Sequence, residues 1–459
     1  MNDTLTTAFV VESMRAHGYD VRPGEDTAIS GGAADSRNVQ PGDLFTAFPG
    51  EHHDGNAFVD DALRRGAAAV ICAVPPVEEW PGRAIIIAPD PTLAIGKLAH
   101  DWRKACNPRV VGITGTVGKT TAKEITAGVL AAHFNTHRSE GNFNSREGLP
   151  LALLSLRRDH EVSVLEIAMD SKGEIAYLCD IAEPEIGVVL NIGLTHVSKL
   201  GSIEAIAEEK LTLGRYAARS GTAVVDVDDS RIAAEFRDQR RPHVLTFGET
   251  HWAALQVSNV HDNGLSGTTF DLSYEGTSLL VSCPVPGVHV IPGALAAIGS
   301  ALALGVPLNA AADALAVLET TGRSRVLHAA SGATIIDDRY NSSPASLAGA
   351  LNLLGGLRGR RIAFIGRMAE LGPFEEDEHR KAGAIAAANC DILFAVGPEC
   401  GPLVESARAA GAADVRWFAG KEEAAAEAAK ILRGGDTVLV KASRGAAFET
   451  VLPVLEGRE

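Results

Sequence analysis

Short apolar runs recur along this chain, each followed by a polar turn and then by a longer stretch with helical spacing. A run bounded by glycine, proline or polar residues reads as a buried strand, and the stretch after it as a helix. The first block holds a strand from Asp43 to Phe48 after the turn Pro41-Gly42, a helix over Ala57 to Gly66, and the run Ala67 to Ile71, a small α/β pattern. The second opens with the strand Arg109 to Ile113 and passes through a glycine-rich loop into a helix from Lys119 to His133. Further strands are expected at Val162–Leu165, Ile186–Leu190 and Thr222–Val225. The third block begins near Gly322-Arg323, with strands at Thr334–Ile336, Arg361–Ile365, Ile392–Val396 and Thr437–Val440 and alanine-rich helices between them. Such alternation predicts open, mainly parallel sheets covered on both faces, the last of them doubly wound. The expected fold class is α/β in three domains, with boundaries at 1–107, 108–321 and 322–459.

Ile291 to Leu318 is apolar enough to imitate a membrane span. Pro292, Gly293, Gly305, Pro307, Asn309 and Asp313 interrupt it, so two buried helices with a turn near Gly305-Val306-Pro307 are expected, and no membrane insertion. The 459 residues are too many for one core, in keeping with several domains. A formal net charge of -16 argues against broad nucleic-acid binding, which needs a basic footprint. It leaves room for a phosphate held by a few local cations and backbone amides. The six scattered cysteines contain no CxxC pair, so they form neither a disulfide framework nor a zinc knuckle. They read as reduced, mostly buried thiols of a cytoplasmic protein. Met1 to Val11 carries Asp3 and no basic run, which is not the pattern of a signal peptide.

The most informative chemistry lies in Gly112-Ile113-Thr114-Gly115-Thr116-Val117-Gly118-Lys119-Thr120-Thr121. A strand ends, glycines permit tight turns, and a helix begins at Lys119-Thr120. Backbone amides of such a loop and the helix dipole suit phosphate oxygens. Lys119 can offset the charge of terminal phosphates, and the Thr120 hydroxyl suits magnesium. The glycines fall at 112, 115 and 118, whereas the usual loop wants one where Ile113 stands. Glu166 and His196 follow strands, at positions that line the ligand crevice of an α/β sheet. A carboxylate there suits magnesium, while a lone histidine is as readily structural. By itself Lys210, preceded by Glu208 and Glu209 in a helix from Ile203 to Leu213, reads as a solvated lysine on a charged face. Asp337-Asp338 and Tyr340-Asn341 follow another strand, where a turn and helix N-cap before Pro344 also fit. Lys441 and Arg444 follow the strand at 437–440 and suit a carboxylate or phosphate. His52-His53 are neighbours whose side chains point apart, so they read as loop residues.

Together these residues resemble the Mur ligase family over nearly the whole chain and in the family's order. The loop at 112–121 is similar to its ATP loop. Asp35-Ser36-Arg37, Pro41 to Phe45 and Asp54-Gly55 resemble its N-terminal UDP-binding module. Glu140 to Asn144 with Gly148 to Leu151 resemble its substrate loop, and Leu165-Glu166, Gly173 to Ile175, Asn191 to Gly193 and His196 its metal region. Asp337 to Pro344, Glu370 to Gly372, His379-Arg380 and Lys441 to Gly445 resemble its C-terminal motifs. The resemblance implies a central P-loop parallel-sheet ATPase domain between a small N-terminal α/β UDP-binding domain and a C-terminal Rossmann-like domain. It implies that ATP is held by Gly115, Thr116, Gly118, Lys119, Thr120 and Thr121, with Arg323, Asp338 and Asn341 reaching the nucleotide from the third domain. Two Mg2+ ions are implied, one on Thr120 and Glu166 and a second on His196. Lys210 matches a lysine that the family carbamylates into an anionic metal ligand. Lys119, His196 and Lys210 are the residues implied to carry catalysis. Ser36 and Arg37 would hold the UDP end, Asn142 and Asn144 the UDP-linked substrate, and Lys441 and Arg444 a substrate carboxylate or phosphate. The chain departs from the family pattern at Arg367, where aspartate is usual, at Gly293, where an adenine-contacting asparagine is frequent, and at Ser343.

Within the family, the nearest type adds D-alanyl-D-alanine to a UDP-N-acetylmuramoyl-tripeptide. The implied reaction is ATP-dependent amide formation through an acyl phosphate, by a cytoplasmic monomer. The residues also allow another Mur-like amino-acid ligase acting on a different UDP-muramoyl peptide, or a P-loop ATPase switch that needs no amine. Because the motifs are divided between domains, the third domain is expected to close onto the central one.

Overall fold

The computed structural model describes the chain except for residues 1–2, 51–53, 142, 196, 238–242, 319–324, 340, 370 and 459, and the side chains of 197 and 198. Among the described residues the strands form three sheets. The first has the order Asp20–Arg22, Ala84–Ile87, Ala69–Cys72, Leu44–Thr46, Gly32–Ala33, parallel except at the Asp20–Arg22 edge. The central sheet runs Thr277–Cys283, Thr268–Tyr274, Leu255–Asp262, Val244–Gly248, Thr222–Asp226, Ile186–Val189, Arg109–Thr114, Val162–Glu166, Thr136–Arg138. Its strands are parallel up to Leu255–Asp262 and then turn antiparallel. The third runs Arg325–His328, Thr334–Asp337, Asp436–Lys441, Arg360–Ile365, Ile392–Val396, Asp414–Phe418, with only the first edge antiparallel.

The strands expected from the apolar runs all form, within a residue or two at their ends. Fully buried runs such as Val162–Glu166 and Ile392–Val396 are what a sheet covered on both faces requires. The antiparallel arm 255–283 is absent from the sequence reading. Its strands alternate buried and exposed positions, because one face meets solvent, and polar residues therefore dilute the apolar signal. The expected helix at 57–66 is shorter, a 3-10 turn Gly55–Phe58 followed by Val59–Arg64. The apolar stretch forms two buried helices, Ile291–Ala303 and Leu308–Ala316, turning at Gly305 with φ 87°. Among the described residues no helix is long and apolar enough to cross a membrane. All six cysteines are free and buried.

The helix Pro91–Cys106 is capped by Asp90, whose side chain accepts from Leu93 N, and has proline in its first turn. It buries Ala94, Ile95, Leu98, Ala99 and Trp102 in a core shared by the first and central sheets. Trp102 donates to Leu156 O at 3.0 Å, and Arg103 grips Glu183 at 2.7 Å. The third sheet has its own cores, one on each face.

Candidate functional site

Three adjacent central strands end side by side, with Ile113 paired to Glu166 and Thr114 to Val189. Their carboxyl ends form the crevice in which α/β sheets bind ligands. The loop after Thr114 turns at Gly118, whose φ of 80° only glycine adopts at little cost. Gly112 is not part of the loop. It lies inside the strand, opposite Gly187. A Cβ on Gly112 would sit 2.8 Å from Ile167 Cδ1, and one on Gly187 would sit 2.7 Å from Leu213 O. This pair of glycines lets the helix Ile203–Ala217 lie tightly on the sheet. That close approach carries Lys210 under the loop.

Lys210 is 2% exposed and donates to Gly115 O at 2.9 Å, which overturns its reading as a solvated lysine. Spacing alone cannot reveal this, since the neighbours Glu208 and Glu209 suggest solvent. Glu208 does face solvent, but Glu209 is buried and accepts from Gly173 N and Ile175 N. Burial pushes the Lys210 amine well below the usual lysine range, and the nearby Lys119 pushes it further. Lys119 Nζ donates to Gly115 O at 2.9 Å and to Thr116 O at 3.1 Å, so both lysines converge on one carbonyl.

The amides of Thr116 and Val117 do not point at an open phosphate site, as the loop pattern had suggested. Both donate to Asn191 Oδ1, at 3.0 and 2.9 Å. Asn191 returns a bond to Val117 O at 3.1 Å. In the sequence it stood out only as part of the stretch Asn191 to Gly193 that resembles the family's metal region, with nothing to mark it as a partner of the loop. The helix starting at Lys119 has no side-chain cap at Gly118, which leaves its first turn suited to an anion.

Glu166 is 3% exposed and accepts from Thr120 Oγ1 at 2.6 Å. Its other oxygen accepts from Asn144 Nδ2 at 2.8 Å. Asn144, expected on the substrate, thus holds the carboxylate while also lining the cleft. Among the described residues no three His, Cys, Asp or Glu side chains converge as a metal site. The hydroxyl and carboxylate of Thr120 and Glu166 do converge. Such an oxygen pair at the foot of a phosphate loop fits a hard cation such as magnesium, not zinc.

The site opens into a cleft of about 670 Å3 between the central and third sheets. One wall carries Thr116 to Thr120, Asn144, Glu166 and Asn191 to Thr195. The other carries Asn341 to Ser346, Ala369, Leu371, Phe374 and Glu378. Of the expected third-domain residues, Asn341 lines the cleft. Asp338 and Lys441 form a buried ion pair at 2.6 Å, and Lys441 also donates to Asn341 O. Arg444 is exposed beyond that strand, and Thr121 is half-buried in the first helical turn. Ser36 is buried and bonds Asp61, while Arg37 is exposed and paired with Asp35 at 2.6 Å. Both belong to the first block, and neither lines this cleft. Asn142, His196, Arg323, His52 and His53 lie outside the described residues. Arg367 bonds Glu375 and Glu399 within the third unit.

A lysine-bearing glycine loop at the head of a parallel sheet, faced across a cleft by a second doubly wound unit, defines a multidomain P-loop nucleotide-binding protein. The Mur ligase middle domain matches residues 113–301, the Mur ligase glutamate ligase domain 322–444, and the Mur ligase family catalytic domain 28–100. The UDP-N-acetylmuramoyl-tripeptide--D-alanyl-D-alanine ligase of Bacillus subtilis is 33% identical, covering 93% of each chain. A crystal structure of MurF from Acinetobacter baumannii superposes with a TM-score of 0.86 at 26% identity, covering 100% of both chains. The MurF ligase of Thermotoga maritima in complex with ADP gives 0.77 at 28% identity, over 93% of this chain and 97% of that one. The chain belongs to the Mur ligase family.

Proposed function

We propose that the chain is an ATP-dependent ligase that joins D-alanyl-D-alanine to UDP-N-acetylmuramoyl-tripeptide in peptidoglycan precursor synthesis. One observation carries the reading. The loop and the Thr120–Glu166 pair share one wall of a cleft whose other wall belongs to the third unit, and Lys210 is buried behind that loop on Gly115 O. Full-length similarity to relatives of that name supports the substrates.

A carboxylate is a poor electrophile, so it is first phosphorylated. Its oxygen attacks the γ-phosphorus of ATP, ADP leaves, and an acyl phosphate forms. The dipeptide amine then attacks the acyl carbon, phosphate departs, and the amine gives up a proton. Lys119 leaves the carbonyls of Gly115 and Thr116 for the phosphates, where its charge is needed. Thr120 and Glu166 would hold one magnesium and His196 a second, with carbamylated Lys210 as an anionic metal ligand, and the metal would supply neutralisation of phosphate charge. The depressed basicity of Lys210 favours the free amine, the form that adds carbon dioxide. Gly115 to Thr121, with Arg323, Asp338 and Asn341, hold the nucleotide. Ser36 and Arg37 hold the UDP end, Asn142 and Asn144 the tripeptide side, and Lys441 and Arg444 its anionic groups. Domains spanning 1–107, 108–321 and 322–459 fit this division, as does a cytoplasmic monomer. Closure of the third domain would exclude water from the acyl phosphate. Small-angle scattering with and without ligands tests it, and an unchanged curve counts against closure.

The deciding experiment measures phosphate release with ATP and magnesium, pairing each UDP-muramoyl peptide with D-alanyl-D-alanine or single amino acids. Turnover only with a single amino acid sinks the dipeptide assignment. ATP hydrolysis indifferent to both substrates favours a P-loop switch.

A further inference from the structure

We propose that Lys123 is a positioning residue, a buried strut that sets the distance between Thr120 and Glu166. This rests on the reading of those two residues as the cation-holding pair. A lysine is almost never fully buried unless paired, yet the side chain of Lys123 is 0% exposed. Its Nζ donates to Ser139 O at 2.5 Å and lies 3.0 Å from Glu124 Oε1. Glu124 in turn is 3.1 Å from Arg138 on the neighbouring strand. In the helix Lys119–Ala131, Lys123 follows Lys119 by four residues and Thr120 by three, so it stands one turn on from both.

What Lys123 grips is the start of the segment that holds Glu166. Ser139 N donates to Val164 O at 3.0 Å, and Ser139 Oγ accepts from Glu166 N at 3.3 Å. The far end of that segment is Asn144, which donates to the Glu166 carboxylate and accepts from Ala168 N at 2.9 Å. Glu166 is therefore held at its amide by one end of the 139–144 segment and at its carboxylate by the other. Thr120 and Glu166 sit on different elements with no covalent constraint on their 2.6 Å separation. The Lys123–Ser139 bond ties the helix of one to the frame of the other. An apolar side chain at 123 would pack but would leave the Ser139 carbonyl without this donor.

The test uses the full chain with ADP and Mn2+ as a paramagnetic stand-in, reading free Mn2+ by electron paramagnetic resonance. Lys123→Met should weaken Mn2+ binding about tenfold or more, the usual loss for a group that orients a metal ligand. ADP affinity in chelator should stay unchanged. Ser139→Ala should shift Mn2+ binding in the same direction by less. Glu166→Gln serves as the reference. If it weakens Mn2+ binding while Lys123→Met and Ser139→Ala do not, the strut is overturned and the cation reading survives. If Glu166→Gln leaves Mn2+ binding intact, the cation reading fails and the inference falls with it. Should Lys123→Met not fold, Lys123→Gln, whose shorter polar side chain also takes the ammonium away from Ser139 O, decides, and wild-type Mn2+ affinity in that variant overturns the strut.

Discussion

Asp226 ends a central strand with 7% of its surface exposed, and its carboxylate accepts from Asp228 N at 3.0 Å. Burial, joined by the charges of Asp228, Asp229 and Glu249, raises its pKa from 3.8 to about 7. The folded protein thus keeps a proton that the unfolded chain releases near pH 4. Stability from this proton is complete below pH 3.8, falls as pH rises, and is lost through pH 7. At 1.36 kcal/mol per pH unit, the whole gap corresponds to at most about 4 kcal/mol. Between pH 5 and pH 8 the wild type should lose about 2.5 kcal/mol through this group. Asp226→Asn keeps the acceptor for Asp228 N and removes the titration. Any fixed cost of its amide cancels when two pH values are compared. Urea unfolding followed by tryptophan fluorescence, at pH 5 and pH 8, gives both stabilities. The variant should gain about 2.5 kcal/mol relative to wild type on going from pH 5 to pH 8. A difference that stays constant to about 0.5 kcal/mol, a typical error of such comparisons, would refute the reasoning.

His137, bonded to Ser163 and Ser155 in the interior, is pushed down to about 3 mainly by burial. Its neutral ring should therefore stabilise the fold fully above pH 6.5 and progressively less as pH falls towards 3, and His137→Gln should flatten that acid limb in pH-dependent melting. Lys441→Met strands Asp338 in a buried position and should cost about 3–5 kcal/mol. The double variant with Asp338→Asn should recover part of that in denaturant melts, and no recovery would argue against the pair as the cause. Lys210→Ala should keep its circular dichroism yet lose about 100-fold or more in phosphate release, the scale of removing a metal-site partner. Full activity in that variant would end the carbamate assignment.

Ten of the twenty strands among the described residues were legible, because both faces of a parallel sheet are buried and a strand there is a continuous apolar run. The phosphate loop was legible because glycines, lysine and threonine must follow a strand in order. The antiparallel arm escaped because one of its faces is wet. The clamping role of Asn191 was missed for a different reason. An asparagine after a strand is a common turn residue, and only the neighbouring strand's loop makes it a clamp on Thr116 and Val117.

By itself, the order of residues determined the alternation of strands and helices, the phosphate loop, and the set of polar groups at strand ends. Those are local properties, dictated by spacing along the chain. Only the tertiary structure decided that Gly112 belongs to packing and not to the loop, that Lys210 is buried beside Gly115, and that Lys123 braces Ser139. Burial and pairing depend on which elements meet. A lysine preceded by glutamates has the same local pattern whether its helix faces water or lies against two facing glycines.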